Sequence, residues 1–128
     1  MLQDLRYGRI WLVLGWIAVT IALILNLMPG YELHGINLND KLEHVMGYVL
    51  LTLWFCGIYP RARYWAIALA FLGMGVLVEI LQGVMHWGRT ADIHDVYADM
   101  VGIGVGLTLA ALGLYRWPRW IEAVFRRK

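Results

Sequence analysis

The sequence predicts an all-α integral membrane protein with four transmembrane helices and short loops. Of its 128 residues, 61% are hydrophobic and only 16% are charged, which leaves too few polar residues to cover a soluble domain of this size. Four apolar stretches come close to the ~20 residues that a membrane-spanning helix needs. We predict helices at about residues 10–28, 41–59, 64–86 and 94–115, within a single domain of residues 1–128.

Short breaker motifs separate these stretches. The first stops at Pro29-Gly30, and the second starts after Asn39 and stops at Pro60. The first stretch is too long for the apolar part of a signal peptide, and no small-residue cleavage site follows it before Pro29. We therefore interpret it as a retained helix.

Basic residues indicate the orientation of the chain. The N-terminus, the turn at residues 60–63 and the tail at residues 116–128 share one side and hold nine of the 11 lysines and arginines. Lys41 and Arg89 lie on the other side, so the positive-inside rule places both termini in the cytoplasm. Trp11, Trp117 and Trp120 lie near the inner helix ends and resemble an aromatic belt. The basic, aromatic tail is expected to anchor the chain to anionic lipid.

Polar side chains inside the spans concentrate near the outer helix ends. Glu79 follows Tyr64 by fifteen residues, so it stands ~22 Å above the inner end of its helix at ~1.5 Å per residue. Gln82 lies one turn further on the same stripe. An ionisable residue at this depth is a functional-site candidate by default.

Two more helices bring polar residues to the same level. The second helix begins NDKLEHVMGY, which places Lys41, His44 and Tyr48 on one stripe and makes Asp40 with Glu43 resemble a capping box. The loop HWGRTADIHD and the start of the fourth helix add further charges. The predicted ligand-binding residues are Asp40, Lys41, His44, Tyr48, Glu79, Gln82, Arg89, Asp92, Asp95 and Asp99.

This constellation suits an anionic head group. The second and fourth helices both start at the outer surface, so both present free amides and a positive dipole end there. Lys41, His44, His86 and Arg89 would complete a cradle for a phosphate, with the carboxylates orienting the cations. The same residues could hold a divalent metal ion. No spacing matches a strong zinc signature, so we predict no metal site and no cofactor.

Structural roles compete with the functional one. Glu79 could form an internal ion pair with Lys41 or Arg89 that only holds helices together. Asp40 and Glu43 could be ordinary helix-start residues. The small residues at positions 98, 102, 106 and 110 form a ladder that is typical of a close-packing seam.

The polar pattern resembles the VanZ-like family of small bacterial membrane proteins, whose first-described members are associated with resistance to the glycopeptide teicoplanin. The resemblance lies in DKLEHVMGYVLL and in EILQGVMHWGRTADIHDVYADMVGIGVG, and covers about residues 39–106. The residues that match the family pattern are Asp40, Lys41, His44, Tyr48, Glu79, Gln82, Arg89, Asp92, Asp95, Gly102 and Gly106. Asp99 departs from the pattern, because the family usually has Asn there. This chain therefore carries one more negative charge at the site.

The resemblance implies a multi-pass protein of the bacterial cytoplasmic membrane. We expect it to bind or handle an anionic envelope lipid or lipid-linked precursor at the outward-facing site. The alternative is a hydrolase or transferase on such a lipid, with Glu79 or His44 as the candidate general base. The lack of a nucleophile motif and of any serine counts against an enzyme.

A structural partner subunit is the third possibility. The expected partners are the lipid bilayer and the anionic lipid, with no nucleic acid, and a homodimer is possible.

Overall fold

The computed structural model describes residues 5–27, 38–85 and 93–126, with side chains for all of these except 38–40 and 85. Every element in these ranges is helical, which confirms the predicted all-α class. The long helices are α1 (Gly8–Leu27), α2 (Leu38–Ile58), α3 (Tyr64–Met85), α4 (Ile93–Ala111) and α5 (Trp117–Arg126). Short 3-10 turns at Arg61–Arg63 and Leu114–Arg116 lead into α3 and α5.

Two of the described segments, Gly8–Leu27 and Arg61–Val84, are long and apolar enough to cross a membrane. The pair α4 and α5 qualifies only when taken together, with a bend of 80° between them. α2 does not qualify, because Lys41, Glu43 and His44 lower the hydropathy of its first turns. Within the described ranges there are thus two to three candidate spans, and a total of four stays a prediction.

The bend between α4 and α5 depends on the backbone conformation of a glycine, Gly113. α4 ends at Ala111, although the sequence predicts a helix to about residue 115. Gly113 has a φ of 132°, a conformation that residues with a Cβ rarely adopt. α5 then starts with Pro118 in its first turn, where no intrahelical amide bond is lost.

α2 and α4 run parallel along a seam of small residues. Ala98, Gly102, Gly106 and Ala110 are all buried. A Cβ on Gly102 would lie 2.5 Å from the Val45 carbonyl oxygen, so only glycine permits this separation of the two backbones. The ladder is therefore a packing seam, as the sequence predicts, and it lies between two helices of one chain.

α1 runs antiparallel to α2 and parallel to α3. Near the start of α1, Trp54 Nε1 donates to the Trp11 carbonyl oxygen at 2.9 Å. Near its end, Gln82 Nε2 of α3 donates to the Asn26 carbonyl oxygen at 2.6 Å. The end of α1, the start of α2, the end of α3 and the start of α4 consequently lie at the same end of the bundle.

Glu122 joins α5 to α1 at the opposite end of the bundle. This carboxylate is only 2% exposed and accepts hydrogen bonds from Trp11 Nε1 at 2.7 Å and from the Arg6 and Tyr7 amides at 2.9 and 3.1 Å. Amides at a helix start lack intrahelical partners, so Glu122 caps α1. Burial alone raises the pKa of Glu122, but the hydrogen bonds from Trp11, Tyr7 and Arg6 outweigh it and hold this pKa below its ordinary value.

Three tryptophans pack around this cap. The ring centroid of Trp117 lies 4.3 Å from that of Trp54 and 5.3 Å from that of Trp11. Trp117 Nε1 also donates to the Leu53 carbonyl oxygen at 3.0 Å. The prediction that Trp11 belongs to an aromatic belt is wrong. Its indole N–H donates to Glu122, and its ring is buried inside the protein. Trp120 is exposed, as such a belt requires.

Candidate functional site

A buried histidine and a buried aspartate link α2 to α4 at the other end of the bundle. His44 Nδ1 lies 2.8 Å from Asp99 Oδ1, and His44 Nε2 lies 3.8 Å from Asp95 Oδ2. All three side chains are buried. The Nδ1–Oδ1 distance is that of a hydrogen bond, whereas the Nε2–Oδ2 distance is too long for one.

Lys41 pairs with Asp95 one turn closer to the helix starts. Its ammonium nitrogen contacts Asp95 Oδ1 in an ion pair. The Lys41 side chain keeps 21% of its surface exposed, whereas Asp95 keeps 9%. Lys41 is therefore a cation at the rim of the cluster, and Asp95 orients it from below.

The Lys41–Asp95 and His44–Asp99 pairs follow the same alignment of α2 against α4. Lys41 and Asp95 are 54 residues apart, and His44 and Asp99 are 55 residues apart. Gly102 packs on Val45 and Tyr48 in the next turns of the same two helices. The glycine seam therefore sets the alignment that brings each cation to its carboxylate.

α3 closes the third side of the cluster through a glycine that was not predicted from the sequence. A Cβ on Gly75 would lie 2.6 Å from Asp99 Oδ2, so the Asp99 carboxylate fills the space that a larger residue would need. Gly75 lies one turn before Glu79 and on the same face of α3. That spacing is the one signal in the sequence that could have pointed to it.

Glu79 and Tyr48 extend the cluster toward the middle of the bundle. Both side chains are buried, and the carboxylates of Asp99 and Glu79 both act electrostatically on the Tyr48 hydroxyl. The Tyr48 ring packs edge-on against Phe71, with centroids 6.1 Å apart. Glu79 thus lies in the same buried polar region as Tyr48 and Asp99.

Gln82 serves a different purpose from the rest of the predicted set. Its amide group is buried and donates to the end of α1 at Asn26. The Asn26 side chain in turn donates to the Ala22 carbonyl oxygen at 2.7 Å. Gln82 therefore fastens α1 to α3, and Asn26 was not predicted from the sequence.

The structure does not test the remaining predicted site residues. The Asp40 side chain, Arg89 and Asp92 lie outside the described residues, as does His86. His94, which is not one of the predicted site residues, is exposed, and its ring centroid lies 6.1 Å from that of Tyr97. Within the described ranges, no group of three His, Cys, Asp or Glu side chains could hold a metal ion.

The cluster of Lys41, His44, Glu79, Asp95 and Asp99 brings several ionisable side chains together. Lys41 pairs with Asp95, His44 pairs with Asp99, and Glu79 adds a further buried carboxylate. Charges taken out of water at this density are a weak source of stability.

Apolar helices of membrane-spanning length around a buried charged cluster are typical of an α-helical membrane protein. The VanZ/LLP1 family profile matches residues 8–115. The chain belongs to the VanZ/LLP1 family.

Among curated proteins, the chain is 32% identical over 81 residues to an uncharacterized protein of Schizosaccharomyces pombe. That match covers 60% of this chain and 49% of the relative, so the chain spans about half the length of the curated relative it matches. No solved structure matches the chain.

The close approach of α3 to Asp99 can be tested with a pair of glycines. We expect Gly75→Ala to lower the free energy of unfolding by about 2 kcal/mol, because the new Cβ must push the Asp99 carboxylate away from His44. Gly73→Ala is the matched control in the same helix, since a Cβ there meets nothing within 4 Å. Thermal unfolding in detergent measures both, and an equal change in the two variants would contradict the close packing of α3 on Asp99.

Proposed function

We propose that this VanZ/LLP1 protein binds the anionic head group of an envelope lipid or lipid-linked precursor at the Lys41 end of the bundle. The proposed topology has four spans in the cytoplasmic membrane, both termini cytoplasmic, and the site facing outward. Basic side chains at the opposite end support that orientation through the positive-inside rule. These are Arg6, Arg9, Arg61, Arg63, Arg116, Arg119 and Arg126.

One observation carries the proposal: Lys41 is partly exposed and is held by Asp95 between the starts of two parallel helices. An ammonium group has three N–H donors, so Lys41 can contact Asp95 and a phosphate oxygen at the same time. The positive dipole ends of α2 and α4 favour an anion at the same place. The proposal needs no metal or other cofactor.

His44 and Asp99 tune this site from beneath. Asp99 interacts electrostatically with Lys41 as well as with His44, so its charge weakens the attraction of the site for an anion. An asparagine in its place, which is the usual residue of the resembled VanZ-like proteins, could still accept from His44 without that charge. We therefore expect Asp99→Asn to bind an anionic lipid more tightly.

The His44–Asp99 pair also supports a second candidate, a hydrolase or transferase acting on the same lipid. An imidazole oriented by a carboxylate at 2.8 Å has the geometry of a general base. Turnover of the bound lipid would distinguish this candidate from simple binding.

Native mass spectrometry of the detergent-solubilised protein tests the binding proposal, with dioleoyl phosphatidic acid as the probe and dioleoyl phosphatidylcholine as the zwitterionic comparison. We expect Lys41→Gln to lower retention of phosphatidic acid about tenfold, because the substitution removes one charge-assisted hydrogen bond to the phosphate. Asp99→Asn should raise retention a few-fold.

Glu43→Gln is the control for this test, because Glu43 is an exposed charge on the same end of α2. Equal retention by the Lys41→Gln and Glu43→Gln variants would overturn the proposal. Conversion of the probe by the wild type, and not by His44→Gln, would replace binding by the enzyme candidate.

A further inference from the structure

An apolar groove of about 500 Å³ lies between α1 and α3, away from the polar cluster. Trp16 and Val19 of α1 form one wall, Phe71 and Met74 of α3 form the other, and Phe55 of α2 lies between them. α1 and the segment containing α3 are the two described segments that qualify as membrane spans by themselves. A groove between two such helices opens to the hydrocarbon of the bilayer.

One end of the groove carries a cation. Arg63 lines it, at the end of the turn that leads into α3. The neighbouring Arg61 donates to the Ala111 carbonyl oxygen at 3.1 Å, whereas the Arg63 guanidinium has no such partner among the described residues. A guanidinium group next to an apolar groove matches a phosphate attached to an acyl chain.

The length of the groove matches one leaflet. It follows α3 from Arg63 to Met74, which is ~16 Å at ~1.5 Å per residue. Half of a hydrocarbon core ~30 Å thick is ~15 Å. A chain that enters beside Arg63 would therefore end near the bilayer midplane.

We propose that this groove binds one acyl chain of an anionic phospholipid whose phosphate contacts Arg63. The lipid belongs to the leaflet next to Arg63, which is the cytoplasmic leaflet in the orientation proposed above. This site is distinct from the Lys41 site, because the two lie at opposite ends of the bundle and share no residue.

Head-group recognition is tested by native mass spectrometry with dioleoyl phosphatidylglycerol and dioleoyl phosphatidylcholine, which have the same acyl chains. We expect Arg63→Gln to lower retention of phosphatidylglycerol at least threefold and that of phosphatidylcholine by less, because the choline ammonium offsets the charge of the phosphate that both lipids carry. Arg9→Gln removes an exposed cation from the same end of the bundle and is the matched control. Equal losses in the two variants would overturn the contact between Arg63 and the phosphate.

The acyl-chain site is tested by filling the groove. Ala70 lines it and is exposed, so Ala70→Phe should lower retention of both lipids at least threefold. Ala18→Phe adds the same ring to an exposed position of α1 outside the groove and should change neither. Unchanged retention in Ala70→Phe would overturn the site. If that variant does not fold, Ala66→Leu fills the same groove with a smaller side chain.

Two further measurements distinguish the groove from the Lys41 site and from a dimer contact. In a Lys41→Gln background, Ala70→Phe should lower phosphatidylglycerol retention by the same factor, because independent sites are additive. That result would stand even if the Lys41 site bound no lipid. A wild-type dimer that Ala70→Phe converts to a monomer, with lipid retention unchanged, would assign the groove to a second copy of the chain and overturn the lipid.

Discussion

The Glu122→Ala variant is expected to lose about 3 kcal/mol of unfolding free energy, because the substitution removes a charged acceptor from three donors at once. Trp11 Nε1 would be left buried without a partner, and the Arg6 and Tyr7 amides would lose the cap on α1. Thermal unfolding followed by near-ultraviolet circular dichroism is a direct measurement, since Trp11 and Trp117 pack in the affected cluster.

Glu43→Ala is the control for this experiment. It also removes one carboxylate side chain, but Glu43 is exposed. We expect its unfolding free energy to change by less than about 0.5 kcal/mol. A similar small change for Glu122→Ala would mean that the cap does not stabilise the protein.

The contribution of Glu122 should depend on pH in a defined direction. Its pKa in the folded protein lies below the ordinary value of 4.5. The stabilisation is therefore complete above pH 4.5 and is lost as the pH falls through the folded pKa. Glu122→Gln cannot titrate, so its unfolding free energy should change less between about pH 6 and about pH 3 than that of the wild type.

Gly102→Ala should destabilise the protein by about 3 kcal/mol, because α2 and α4 would have to separate. The new Cβ would lie 2.5 Å from the Val45 carbonyl oxygen and 2.7 Å from Tyr48 Cβ. The first of these neighbours is backbone and cannot rotate out of the way. The same measurement of thermal unfolding in detergent applies.

Gly104→Ala is the control for the seam, since a Cβ there meets nothing within 4 Å. It should be neutral or stabilising by up to about 1 kcal/mol, because alanine favours a helix over glycine. Gly102→Ala should also weaken binding of phosphatidic acid, since the seam aligns Lys41 with Asp95. Unfolding curves that coincide for the two variants would refute the close approach of the helices.

The sequence predicts the polar stripe of a single helix because helical periodicity is a local property. Lys41, His44 and Tyr48 fall on one stripe of α2 whatever the rest of the chain does. The pairing of His44 with Asp99 could not be predicted, because it depends on how α2 and α4 slide against each other. Gly102 and Gly106 fix that register, and their spacing indicates a seam without saying which helix fills it.

Glu122 and Gly75 show where prediction fails. Glu122 lies in a basic, aromatic tail that is adequately explained by contact with lipid, and two of its three partners are backbone amides, which leave no mark in the sequence. Gly75 stands in an apolar helix among other glycines, and only the position of the Asp99 carboxylate distinguishes it from Gly73. Both depend on contacts between distant segments of the chain.

The cap on α1 has a consequence for biosynthesis. Glu122 bonds to the amide of Arg6, 116 residues earlier in the chain. Since chains are made from the N-terminus and begin to fold during synthesis, α1 is inserted long before its cap exists. The Arg6 and Tyr7 amides must be solvated by water or lipid head groups until Glu122 leaves the ribosome. The native arrangement of the first helix is thus completed only after translation of the tail.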